Sequence, residues 1–246
     1  MKTRADLLLV ARGLFESRAK ARAAIEAGGV TADGRLVAKA SDLVADDALL
    51  HAVAAHPWVG RGALKLEHAL ALWPVAVEGR VVLDVGASTG GFTEVCLAAG
   101  ARQVYAVDVG RGQLHPSLVG DPRVSALEGF DARNLTSEEV PEPPRLVVCD
   151  VSFIGLAKAL PAALALAAED ADLIALVKPQ FEVGPARVGK GGLVKDEAAR
   201  AEALTAAKAF LEAIGWTVQA AADSPIEGGD GNREHLLWAK KRGRPR

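Results

Sequence analysis

The chain has 246 residues, half of them apolar, and a formal net charge of −2. That length accommodates one large or two smaller domains with a sizeable core, and the near-balance of charge argues against a polyanion binder that works through a global field, so any such binding needs a local basic patch. Aromatic residues make up 4% of the chain, which argues against a base-stacking platform of the single-strand-binding type.

Cys96 and Cys149 stand far apart with no C-x-x-C pair, which argues against a disulfide framework or a zinc site and fits a reducing compartment. Met1 is followed by Lys2, Arg4 and Asp6 rather than an apolar signal core, and the Ala-rich stretch 156–168 is interrupted by Lys158 and Pro161. A soluble, cytoplasmic protein without membrane contact is expected.

Within residues 1–50, Thr3 and Asp6 precede Leu7-Leu8-Leu9-Val10 and predict a capping-box-like helix start, with Gly13 closing the helix. Ser17 is the candidate cap of a second helix, 18–27, stopped by Gly28-Gly29. Arg18 and Arg22 share one face of it with Lys20 nearby, while Ala21, Ala24 and Ile25 fall on a packing face. Two short strands around Asp33-Gly34 follow. From Lys2 to Arg22 there are six basic residues against two acidic ones, so positive charge is concentrated here.

Residues 51–62 carry Pro57, Gly60 and Gly62 and read as a linker, with Trp58 as a packing anchor. A helix follows to about Leu72, with Leu64, His68 and Leu72 on one face and Lys65 beside it. Then Val81 to Val85, an apolar run containing Asp84, leads into Gly86-Ala87-Ser88-Thr89-Gly90-Gly91 and a helix from about Phe92 to Ala99. This is how a buried parallel strand turns into a helix over a ligand. The loop is not the G-x-G-x-x-G of dinucleotide binders.

Further strands are predicted at 103–108, 124–127, 146–149 and 173–177, with helical stretches between them such as 156–168. Strands alternating with helices imply a parallel sheet covered on both faces, with ligands at the carboxyl ends of the strands. Asp84, Asp108, Asp131, Asp150 and Lys178 all fall at or just past such ends. Asp108 lies about 20 residues beyond the glycines, where doubly wound sheets place a carboxylate on a ribose.

Residues 179–185 hold two prolines and are not expected to form regular helix. Gly189-Lys190-Gly191-Gly192 reads as a flexible loop, 196–214 as a clear helix from Asp196 to Gly215, and 216–222 with 234–238 as a closing antiparallel pair opened by Glu234. The segment 240–246 has five basic residues of seven and reads as a basic tail.

Four resemblances follow from these residues. Aspartate before the glycine loop is similar to the first motif of S-adenosylmethionine-dependent methyltransferases. Leu9, Gly13-Leu14, Ser17-Arg18, Ala21, Ile25, Gly28, Val30 and Asp33-Gly34 resemble the RNA-binding domain of ribosomal protein S-four. Lys65, Asp150, Lys178 and Glu234 in that order form K-D-K-E, which resembles the tetrad of FtsJ/RrmJ-type ribose 2′-O-methyltransferases. More closely, GASTGGFT (86–93), DVGRGQL (108–114), DVSFIGL (150–156) and VKPQFEVG (177–184) look like the TlyA, or haemolysin A, family of ribosomal-RNA 2′-O-methyltransferases.

The resemblance implies an α/β fold, a Rossmann-like seven-stranded methyltransferase domain over 63–240 preceded by a small α+β S-four-like RNA-binding domain over 1–50, a linker over 51–62 and a basic tail over 241–246. It implies S-adenosylmethionine as cofactor, held by Asp84, Gly86, Ser88, Gly90, Gly91, Phe92, Asp108 and Asp131. The substrate would be a ribose 2′-hydroxyl of a cytidine in ribosomal RNA, within subunits or ribosomes, contacted by Arg4, Arg18, Lys20 and Arg22. Lys65, Asp150, Lys178 and Glu234 would be catalytic with no metal, Lys178 either accepting the hydroxyl proton or positioning the hydroxyl.

Base methylation is disfavoured because Asp150-Val151-Ser152-Phe153 replaces the N/D-P-P-Y/F that amino methyltransferases use to hold a flipped base. A membrane-active haemolysin and a catalytically silent ribosome-assembly factor are the alternatives.

Overall fold

The computed structural model describes residues 1–241 and Gly243, and the chain divides into two compact units, Met1–Pro57 and Trp58–Arg246. The first unit runs β1 (Lys2–Arg4), α1 (Ala5–Ala11), α2 (Arg18–Glu26), β2 (Val30–Ala32), β3 (Arg35–Leu36), β4 (Leu43–Ala45) and β5 (Leu50–Ala52). Helix α2 begins as expected, with the Ser17 hydroxyl accepting from the Lys20 N–H at 3.3 Å. The β2–β3 turn puts Asp33 and Gly34 at φ +50° and +74°, the pair of left-handed residues a two-residue hairpin requires. Strands β3, β2 and β5 form one antiparallel sheet, and β1 pairs with β4. Leu8, Leu9, Phe15, Ala21, Ala24, Ile25 and Val30 fill the core between helices and sheet.

Two expectations fail here. The capping box at α1 does not form: Thr3 lies in β1, and Arg4 precedes the helix without a side-chain cap. Asp6 is fully buried and its oxygens are taken by Arg4 and Arg18, so it has none to turn back on the helix terminus. The segment read as a linker from residue 51 instead begins inside a strand, with His51 opposite Thr31 and Ala52 opposite Val30.

The second unit continues with α3 (Ala63–Leu72), β6 (Val81–Val85), α4 (Gly91–Ala98), β7 (Gln103–Asp108), α5 (Pro116–Val119), β8 (Val124–Glu128) and β9 (Leu146–Cys149). It ends with α6 (Leu156–Ala159), α7 (Pro161–Leu166), β10 (Asp172–Val177), α8 (Pro179–Glu182), α9 (Glu197–Ala213), β11 (Trp216–Asp223) and β12 (His235–Lys241). The sheet order is β11-β12-β10-β9-β6-β7-β8, parallel except for β12, which runs against both neighbours. β6 and β10 are buried along their whole length, which is why they read as apolar runs rather than alternating ones.

Alternate residues serve two cores. Leu83, Val147 and Leu173 face Leu156, Leu160, Leu164 and Leu211 of α6, α7 and α9 or their junctions. Val82, Val148 and Ile174 face Leu66, Phe92, Val95 and Leu118 of α3, α4 and α5. Because β6 lies between β7 and β9, the strand order reverses at its carboxyl end, where doubly wound sheets open a crevice.

Four local readings are corrected. The helix expected over 156–168 is two pieces meeting at Leu160, because Pro161 has no N–H to continue the ladder. Pro179 sits at the first position of α8, where a missing N–H costs nothing, so a helical turn forms after all. On α3 the buried residues are Ala63, Lys65, Leu66 and Ala69, whereas Leu72 is exposed. Lys240 and Lys241 belong to β12, and Arg242, Arg244, Pro245 and Arg246 of the expected tail lie outside the described residues.

Candidate active site

The loop after β6 is shaped by what cannot fit. A Cβ on Gly86, whose φ is +85°, would lie 2.9 Å from the Asp150 carbonyl oxygen, so the backbones after β6 and β9 touch only because this residue is glycine. Asp108, at the end of β7, ties two loops together: its Oδ2 accepts from the Ser88 N–H at 2.8 Å and its Oδ1 from the Gly110 N–H at 2.7 Å. Beyond these strand ends lies a cleft of about 780 Å³, with Gly86, Ser88, Asp108, Asp131, Asp150 and Ser152 among its lining residues. That volume is within the range of small-molecule sites. Asp131 accepts from the Arg133 N–H and pairs with its guanidinium, which holds the carboxyl down at about 2.

The expected cofactor residues therefore separate. Gly86, Ser88, Asp108 and Asp131 line the cleft; Asp84, Gly90, Gly91 and Phe92 do not. Asp84 has no exposed surface, and its Oδ2 accepts from the Thr93 hydroxyl at 2.7 Å while Oδ1 has no hydrogen-bond partner. Burial pushes this carboxyl up to about 7. Phe92 packs into the core under the loop, Gly91 fits against the Ala63 N–H group, and a Cβ on Gly90 would strike Leu118. These four hold the loop's shape from beneath.

The four charged residues expected to act together do meet. Lys65 comes from α3, Asp150 follows β9, Lys178 follows β10, and Glu234 precedes β12. The Lys65 ammonium lies 2.5 Å from Glu234 Oε2 and 3.9 Å from Asp150 Oδ2, and Lys178 Nζ lies 2.6 Å from Asp150 Oδ1. The result is one line of alternating charge, Glu234–Lys65–Asp150–Lys178. Lys65, Lys178 and Glu234 are all buried, and each cation has an acid beside it, as buried charge requires. The Lys178 ammonium also donates to the Ser152 hydroxyl at 2.9 Å. Ser152 lies in the DVSFIGL stretch, which by itself assigns it no role; the fold of the turn after Asp150 brings it to the lysine.

The candidate RNA contacts of the first unit are all paired with acids. Arg4 and Arg18 bind the buried Asp6, Arg18 through Nε and Nη2 at 3.1 and 2.8 Å. Lys20 pairs with Glu16 at 2.7 Å, and Arg22 approaches Glu26 at 4.0 Å. The guanidiniums of Arg4, Arg18 and Arg22 remain largely exposed. Cys96 and Cys149 are free buried thiols, the latter pushed up to about 12 by burial.

Residues 58–241 match the FtsJ-like methyltransferase family, and residues 3–49 match the S4 (S-four) domain. The chain is 47% identical over 241 residues to the 16S/23S rRNA (cytidine-2′-O)-methyltransferase TlyA of Mycobacterium tuberculosis, covering 97% of this chain and 90% of that one. It is 37% identical over 234 residues to hemolysin A of Brachyspira hyodysenteriae, covering 95% and 98%. The solved structure of a hemolysin-named protein from Streptococcus thermophilus superposes with a TM-score of 0.78 at 39% identity, covering 99% and 90%. With the seven-stranded sheet, the glycine loop and an S4 domain in front, the chain belongs to the TlyA family of FtsJ-like methyltransferases.

Proposed function

We propose that this protein transfers a methyl group from S-adenosylmethionine to the ribose 2′-hydroxyl of a cytidine in ribosomal RNA, acting in the cytoplasm on subunits or ribosomes. The observation that carries the reading is the Glu234–Lys65–Asp150–Lys178 line, which reaches the cleft wall through Asp150. The Mycobacterium relative's name supplies the substrate class. In this reading the first unit, residues 1–57, provides RNA affinity, the second, from residue 58, carries the chemistry, and the basic residues after β12 add charge against phosphate.

The cleft fits the cofactor. Asp108 and Asp150 place carboxylates on its wall toward a cationic sulfonium, beside Arg133 and Lys158, and glycine at 86 keeps the loops after β6 and β9 close enough to form it. Gly86, Ser88, Asp108 and Asp131 would hold it. When bound, it supplies an electrophilic methyl group. The protein's part is to align a weak nucleophile and remove its proton. Lys178 takes the ribose proton at Nζ. Asp150 holds that amine, Lys65 approaches Asp150 from the other side, and Glu234 anchors Lys65.

The direct test incubates purified protein with ribosomal subunits and tritium-labelled S-adenosylmethionine, then maps the labelled nucleotide. Label in 2′-O-methylcytidine is expected; label on a base, or none in intact protein, would contradict the reading. The hemolysin name of the Brachyspira relative motivates one control. No described helix is long and apolar enough to cross a membrane, and dye-loaded liposomes should not leak at protein concentrations that methylate fully.

A further inference from the structure

We infer that Ser152 is a positioning residue for methyl transfer, acting through Lys178; this rests on the reading of Lys178 as proton acceptor. The ammonium of Lys178 is almost wholly buried, whereas Ser152 is exposed and lines the cleft. Nζ lies 2.6 Å from Asp150 Oδ1, an ion pair in which that oxygen accepts no hydrogen bond, and donates to Ser152 Oγ at 2.9 Å. The hydroxyl is therefore the group that fixes the direction of an N–H bond. With one N–H on Ser152 and Nζ held beside Asp150 by charge, rotation about Cε–Nζ is restrained and the lone pair of the neutral amine with it.

Asp150 alone does not do this. Charge attraction sets the place of Nζ, and the group still turns about Cε–Nζ. The Ser152 hydroxyl restrains that turn before substrate arrives, and such preorganisation raises kcat rather than affinity. The step balances: the ribose O–H bond breaks, a third N–H bond forms on Lys178, and the oxygen's electron pair becomes available to the methyl group. Ser152 neither gains nor loses a proton and need not touch the ribose.

The backbone supports this placement. Ser152 precedes Phe153, which is held at φ +68°, so the turn after Asp150 is constrained in a conformation few side chains adopt. Downstream, the Leu156 N–H donates to Glu182 of α8 at 2.8 Å, which ties the end of this turn to the segment just past Lys178. The hydroxyl and the amine are thus carried on two segments that are themselves fastened together.

The test compares wild type, Ser152→Ala, Ser152→Thr and Lys178→Ala in single-turnover methylation of ribosomal subunits, with the Ser152→Ala/Lys178→Ala double variant closing a cycle. Ser152→Ala should lower the transfer rate about tenfold with KM for RNA and cofactor affinity unchanged within twofold. Ser152→Thr, which keeps the hydroxyl, should recover to within about threefold of wild type. In the Lys178→Ala background, Ser152→Ala should add nothing. An unchanged rate in Ser152→Ala overturns the inference, as does an equal loss in the Lys178→Ala background, which would make the serine independent of the lysine. A raised KM at constant kcat would also overturn it, making Ser152 a substrate contact instead. Should Lys178→Ala itself retain activity, the failure lies with the proton acceptor and is recognised as such.

Discussion

Both units of this protein contain a string of ion pairs, and the two are built inside out with respect to each other. In the first unit the acid is buried and the cations face solvent: the Asp6 side chain is 0% exposed, those of Arg4 and Arg18 44% and 56%. In the second unit the cations are buried, with Lys65 at 7% and Lys178 at 10%. A guanidinium stays charged and offers planar donors, so two of them fixed by a buried carboxylate make a surface for phosphate. An ammonium is a compact point charge on a flexible stem, and the acids beside Lys65 and Lys178 hold each one in place at the strand ends. In the proposed function, residue type and burial together would separate a binding face from a reacting group.

Exchanging the two kinds of cation should break the comparison most severely. Lys178→Arg keeps the charge and the pairing with Asp150 but stays protonated and cannot accept the ribose proton, and methyl transfer should fall about a thousandfold in single-turnover assays. Asp150→Ala comes next. It leaves two buried ammonium groups without the acid between them, and a loss of about a hundredfold is expected, together with a lower melting temperature.

Asp84 sharpens the contrast, because it is a buried carboxyl with no cation at all. Its pKa in the folded protein is about 7 against 3.8 for an unperturbed aspartate, so between these values the folded state binds more protons than the unfolded one. Stability from this group is therefore complete below about pH 4 and is lost as pH rises through 7. Asp84→Asn should melt higher than wild type at pH 8, by up to about 4 kcal/mol of stability, with the difference vanishing near pH 4. A pH-independent difference between the two proteins would refute this assignment.

Asp6 has the opposite sign. The hydrogen bond from Arg4, with that from Arg18, holds its carboxyl well below the usual range, so its contribution is present above about pH 4 and fades as pH falls further. Asp6→Ala should cost the first unit about 1–2 kcal/mol in urea titrations and weaken RNA binding while leaving cofactor affinity intact. The smallest effect belongs to the joint replacement of Arg18 and Arg22 by alanine. It should lower affinity for subunits and reduce the salt slope by about 1.5, corresponding to two phosphate contacts. An unchanged slope would mean that these side chains touch only solvent.

How legible all this was depended on the range of the interaction. The parallel strands stood out because β6 and β10 are covered on both faces and, apart from Asp84 and Asp172, their sequences are apolar. Charged residues at their ends were conspicuous for the same reason, and Lys65, Asp150, Lys178 and Glu234 do meet in space. The three-residue strands β1, β4 and β5 carry too little periodicity to be seen and form through pairing with distant segments. Long-range polar partners were equally hidden. Arg18 looked free on its helix, yet Asp6 twelve residues earlier claims it. The hydroxyl of Ser152 meets Lys178 only because β9 and β10 are neighbours. Phe92 and Asp84 fitted the cofactor motif but lie beneath the loop, since a strand's inward face and its tip are indistinguishable without the fold.

The central claim, that the buried lysine line performs the chemistry and does no more than that, is tested most directly by Lys178→Ala in a single-turnover methylation of purified ribosomal subunits, with calorimetric cofactor affinity and subunit binding measured on the same preparation. The account predicts that transfer is abolished while both affinities stay within about twofold of wild type. Substantial residual transfer with intact binding would contradict it and leave positioning by the glycine loop as the source of the rate.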